Sequence, residues 1–123
     1  MMAKFKVFDG VDYLSEPFTL QDLQSGKIQF TSDAKVLQYT GCKDHAGEEI
    51  YAKDIVQFKH PTPSAKNKRP IINMVVGWNA KTASWCLYWQ NLQGELQWQS
   101  LARKLDENHT KIGNAHINPD LIQ

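Results

Sequence analysis

From Ile71 to Leu101 the chain runs IINMVVGWNAKTASWCLYWQNLQGELQWQSL, a stretch from which charge has almost vanished. Between Pro70 and Ala102 the charged side chains are Lys81 and Glu95 alone, and all 4 tryptophans fall there. Asn79-Ala80-Lys81-Thr82 and Asn91-Leu92-Gln93-Gly94 are turn sequences, which divides the stretch into strands over Ile71 to Trp78, Ala83 to Trp89 and Glu95 to Leu101. An antiparallel meander follows. Along it neither side is polar: Trp85, Leu87 and Trp89 oppose Cys86 and Tyr88, and Ile72, Met74, Val76 and Trp78 oppose Ile71 and Val75. A buried aromatic withdraws about 150 to 250 Å² from water, worth roughly 4 to 6 kcal/mol at ~25 cal/mol per Å². One face is therefore expected to build the core of a small barrel. The other is expected to meet a second copy of the chain or a ligand, so a homo-oligomer is predicted.

Upstream of the meander the pattern breaks. Lys59 to Pro70 carries prolines at 61, 63 and 70 and the cations Lys59, Lys66, Lys68 and Arg69, which reads as a mobile basic loop. Before it, Ile50-Tyr51 and Ile55 to Phe58 read as strands, as do Val36 to Thr40 and Lys4 to Phe8. In the last of these Phe5 and Val7 share one face, with Lys4 and Lys6 on the other. Lys43 to Gly47 is a turn. Thr19 can cap a short helix over Leu20 to Gln24, with Gly26 to close it. Beyond the meander, Lys111-Ile112-Gly113 is a short strand, and Asn118-Pro119-Asp120-Leu121 offers a cap and a proline at the first helical position.

The chain has 123 residues, 41% of them hydrophobic, which suits one domain with a core that needs neither metal nor disulfide. Its formal charge of +1 gives no global field for nucleic acid or membrane, so any such partner must be met locally. No apolar run has membrane-helix or signal-peptide length, and a cytoplasmic location without a membrane partner is expected. Cys42 and Cys86 are then expected as free thiols.

The run from Leu37 to Val56, LQYTGCKDHAGEEIYAKDIV, resembles the signature of the YopX family of phages and prophages of low-GC Gram-positive bacteria. Lys4 to Asp9 is similar to the family's opening strand, and Ile112-Gly113-Asn114 with Asn118 to Leu121 is similar to its closing segment. Cys42 departs from the usual aliphatic, and Ala52-Lys53 replaces a more typical acid-glycine step. The resemblance implies a mostly β protein with an SH3-like barrel, N-terminal strands and one or two short helices, and no settled molecular function. Within the signature the residues themselves speak for structure: Gly41 and Gly47 for backbone freedom, and Asp54 for a turn. Gly113 and Pro119 belong to the closing segment.

Chemistry is sparse. Cys42 and His45 could supply half a zinc site, with His109 or His116 joining only through tertiary folding, and no metal or cofactor is expected. Neither a nucleophile elbow nor a phosphate-cradling glycine loop occurs, and an enzyme is not expected. Two binding readings remain. The first is a self-associating module that recognises a host or phage macromolecule or a small signalling ligand, host-defence inhibition being one version. The second is a nucleic-acid binder that combines Lys59, Lys66, Lys68 and Arg69 with exposed members of Trp78, Trp85, Trp89 and Trp98.

Overall fold

Alternating apolar residues bounded by polar turns fold as the meander they predict. A computed structural model describes residues 3–10, 14–26, 33–60, 71–91, 93–101 and 105–122. Its elements are β1 (Lys4–Phe8), β2 (Phe18–Thr19), α1 (Leu20–Gln24), β3 (Lys35–Lys43), β4 (Glu49–Tyr51), β5 (Asp54–Lys59), β6 (Ile71–Asn79), β7 (Ser84–Gln90), β8 (Leu96–Ser100) and β9 (His109–Asn114), then a 3₁₀ turn at Pro119–Leu121. The protein is mostly β. Two antiparallel sheets have the orders β2-β1-β3-β4 and β8-β7-β6-β5-β9. Among the described residues the second ladder does not close into a barrel, because β8 and β9 stand at its two ends.

Register assigns the faces of the larger sheet. Trp78 pairs with Trp85 and Val76 with Leu87, while Val56 pairs with Met74. These residues therefore share one side, and it is the core side: Val56, Met74, Val76 and Leu87 are buried with Ile50 and Leu105, and Phe58, Ile72, Trp85, Trp89 and Leu101 pack around them. The opposite side carries Ile55, Val75, Cys86, Tyr88 and Trp98. Cys42 and Cys86 are both buried thiols.

Local devices set the other elements. Thr19 caps α1 reciprocally: its Oγ1 accepts the Asp22 N–H at 3.2 Å, and Asp22 Oδ2 accepts the Thr19 N–H at 3.0 Å. In β3 the ladder shifts between Tyr39 and Lys43, and Gly41, at φ 85°, supplies the left-handed residue that the bulge requires. β1 departs from its expected pattern. Its Lys4, Lys6 and Phe8 side is partly covered: Phe8 is buried and stacks on His116 at 4.8 Å, Lys6 is half-buried, and Lys4 keeps 41% of its side chain exposed.

The turn between β4 and β5 contains a strained residue. Lys53 has φ 68°, in the region that L side chains avoid, and it is exposed. This is the position where the signature's glycine is missing. Replacing Lys53 with glycine should stabilise the protein by up to about 1 kcal/mol, read as a higher urea midpoint at unchanged slope. A lower midpoint would contradict the assigned strain.

Candidate functional site

Tyr51 ends β4 and Asp54 begins β5, so the chain reverses over Ala52 and Lys53 with the Asp54 side chain folded into the turn. That carboxylate is 1% exposed. Its Oδ2 accepts the Tyr51 N–H at 2.7 Å and forms an ion pair with the Lys111 ammonium at 3.1 Å, while Oδ1 accepts the Asn114 amide at 3.0 Å. A buried charge is tolerable only when paired and hydrogen-bonded, and here the donors come from β4 and β9. Asp44 acts likewise in the β3–β4 turn, where Oδ1 accepts the Ala46 and Glu48 N–H groups at 3.0 and 2.9 Å and Oδ2 accepts the Lys111 N–H at 3.3 Å. Gly47, at φ 88°, closes this turn. The Asn118 side chain does not cap the 3₁₀ turn, although Pro119 stands at its start. It reaches back instead, and Oδ1 accepts the Asn114 N–H at 3.2 Å. A Cβ on Gly113 would collide with that oxygen.

Beside this network lies a cleft of about 300 Å³ with Lys6, Leu14, Lys111, Asn114, Ile117 and Asn118 in its walls and Asp54 at its base. Lys6 Nζ stands 4.6 Å from the centre of the Tyr51 ring and Lys111 Nζ 5.8 Å from it. Lys111 also donates to the Glu49 carbonyl at 3.0 Å. Burial, then the charge of Lys111, lowers the Lys6 pKa. At the rim Lys4 pairs with Glu49 at 2.6 Å. That hydrogen bond holds the Glu49 carboxyl below its usual range and raises the Lys4 pKa. Burial, then Glu49, pushes the Tyr51 phenol well above its ordinary value. Asp54 and Gly113, with Asn114 and Asn118 of the closing segment, stood out in the sequence, though Asn118 only as a cap. Lys6, Tyr51 and Lys111 come together through strand pairing.

The described residues among those predicted for binding, Lys59 and the four tryptophans, do not share one surface. Trp78 is 54% exposed at the end of β6 and meets Trp85 edge to face at 5.3 Å. Trp85 and Trp89 lean on the core from that same side. Trp98 is 48% exposed and faces the other way, in a row with Tyr88 and Val75 across three strands. Lys59 ends β5 opposite Ile71, at the far end of β6 from Trp78. Lys66, Lys68 and Arg69, with the rest of residues 61–70, lie outside the described residues.

Each histidine has a structural neighbour. His45 Nε2 is 3.2 Å from Thr110 Oγ1, and His109 Nδ1 is 2.7 Å from Asp106 Oδ1, an interaction that lowers the Asp106 pKa. His60 lies edge-on to Phe58 at 6.1 Å. His116 stacks on Phe8, and burial, then Lys53, lowers its pKa. Among the described residues no three His, Cys, Asp or Glu side chains converge as a metal site needs, and no helix is long and apolar enough to cross a membrane.

Two antiparallel sheets joined through a buried carboxylate, with a cleft beside it, define an all-β protein of the two-sheet kind. The chain belongs to the YopX family, whose model, described as YopX protein, matches residues 12–123. Its fold is similar to the crystal structure of protein EF1440 from Enterococcus faecalis, with a TM-score of 0.54 and 17% identity over 100% of this chain and 99% of that one. No curated protein matches the chain.

The Asp54 network gives a direct expectation. Asp54→Asn places an amide donor against the donors of Lys111 or Asn114 and removes the charge that Lys111 pairs with. It should cost about 3 kcal/mol or more in urea unfolding, and a loss below about 1 kcal/mol would refute the anchoring role.

Proposed function

We propose that the protein is a non-enzymatic binding module that works as a self-associated pair in the cytoplasm of a cell carrying its phage or prophage, there engaging a host or phage macromolecule. Inhibition of a host defence is one form this takes. The strand order β8-β7-β6-β5-β9 supports the SH3-like reading of the larger sheet: the first strand of the β5–β8 meander also pairs with the last strand, and the Lys59 to Pro70 loop follows that first strand.

The observation that carries self-association is the outer edge of β8. The Leu101 N–H bonds to the Trp85 carbonyl and the Asn91 N–H to the Glu95 carbonyl, so odd-numbered residues of this strand bond inward to β7. The N–H and C=O groups of Leu96, Trp98 and Ser100 point away from the sheet. Sheet edges are ordinarily blunted by charge, proline, bulges or shortness. β2 and β4 are short, at 2 and 3 residues. β8 has 5 residues, LQWQS, with no charge and no proline, and Leu96 and Trp98 are 64% and 48% exposed on one side of it. A two-fold axis through Trp98 pairs the strand antiparallel with itself, Leu96 facing Ser100 of the second copy. It satisfies the edge and covers both tryptophans. Sedimentation at micromolar concentration should give twice the chain mass, and Trp98→Lys should give a folded monomer with unchanged circular dichroism. A wild-type monomer would end this reading.

The Trp78–Trp85 pair favours a second reading, a platform for a single-stranded nucleic acid base, with Lys59 as the described cation of the basic loop. Charge and rings stand at opposite ends of β6, so weak or no binding is expected. Labelled single strands titrated at two salt concentrations test this, and tight, salt-steep binding would reverse the ranking of the two readings.

A further inference from the structure

We propose that the cleft beside Asp54 binds a small oxyanion, the phosphoryl or carboxylate group of a metabolite, held by Lys6. The cleft's walls present two ammonium groups, Lys6 and Lys111, against the single carboxylate of Asp54. They differ in occupancy. Lys111 is spent on Asp54 at 3.1 Å and on the Glu49 carbonyl at 3.0 Å. Asp54 in turn is in contact with Tyr51, Lys111 and Asn114, and its attraction for Lys6 acts without an ion-pair contact. Lys6 rests over the Tyr51 ring at 4.6 Å, half-buried, and among the described residues it has no carboxylate within ion-pair distance. Asp54, Glu16 and Glu49 act on this ammonium only at longer range, without an ion-pair contact, and it stands in a partly desolvated place, where an anion is bound more strongly than on an open surface.

The rest of the cleft suits the same ligand. Asn118 commits its Oδ1 to the Asn114 N–H, which leaves its amide nitrogen as a neutral donor on the cleft wall. Leu14 and Ile117 add apolar wall for the carbon part of a metabolite, and a volume of about 300 Å³ is larger than one oxyanion fills. Burial and Lys111 depress the Lys6 pKa, and a bound anion relieves the second of these, so ligand and proton bind Lys6 cooperatively.

The probes are inorganic phosphate and acetate, titrated separately into the full chain in low-salt buffer and followed by amide shifts in ¹H–¹⁵N spectra. Saturable shifts should centre on Lys6, Gly113, Asn114 and Asn118. Tighter binding of phosphate assigns a phosphoryl ligand, and tighter binding of acetate a carboxylate; either upholds the site. Lys6→Met keeps the apolar stem on Tyr51 but should weaken binding about tenfold or more, whereas Lys81→Met, exposed in the β6–β7 turn, should not. The proposal is overturned if neither anion saturates, or if Lys6→Met binds phosphate and acetate as the wild type does. A folded Lys6→Met spectrum, with unperturbed core resonances, shows that any loss arises at the cleft.

Discussion

A carboxylate with 1% exposure is the constraint around which this fold is arranged. Asp54 must find donors without water, and it finds them in the turn behind it and in the last strand. Meeting that need joins the end of the smaller sheet, at Tyr51, to β5 and β9 of the larger one. Asp44 adds a second tie, because its carboxylate holds both the β3–β4 turn and the backbone of Lys111. Lys111 is thus fixed at its amide by one aspartate and at its ammonium by the other.

This explains how much of the fold could be read along the chain. Asp44, Gly47 and Asp54 act on neighbours within a few residues, and such chemistry is visible in a linear string. Asp54 indeed bonds an amide in its own turn, and Gly41 and Gly47 do take positive φ. The meander was legible for the same reason, since alternation and turn residues are local. Lys6 and Lys111 are 105 positions apart, and only strand pairing places both near the Tyr51 ring. Alternation alone assigned Lys4 and Lys6 to a face turned toward water. The C-terminal segment covers that face, with His116 stacked on Phe8, and no periodicity within β1 could announce it.

The tryptophans show the limit differently. Parity within each strand grouped Trp85 with Trp89 and set Trp78 beside Val76 and Met74, as the sheet has them. What parity could not supply was the phase between strands. Register sets Trp98 opposite Tyr88, on the outer side, and so separates it from the other three. One aromatic surface becomes two. The outer surface is then shortened at its other end, where the C-terminal segment crosses it and Asn73 donates to the Leu121 carbonyl at 2.8 Å. The β7–β8 half of the face keeps its large side chains in water, and it adjoins the strand whose outer edge has no partner among the described residues.

The contacts that let Asp54 be buried also set the character of the adjoining cleft. Three of the roughly four lone-pair sites of a carboxylate are engaged here, two on Oδ2 and one on Oδ1. Asp54 has given its oxygens to an amide N–H, an ammonium and a carboxamide, and withdrawing any of them would loosen the join between the sheets. The Tyr51 phenol is pushed up by burial, and its hydroxyl donates to Glu49 at 3.2 Å. Glu49 is committed twice over, to Tyr51 and to Lys4. Among the described residues Lys111, Asp54, Glu49 and Tyr51 are thus held in direct contacts at this join, while Lys6, over the Tyr51 ring, feels Asp54, Glu16 and Glu49 without an ion-pair contact.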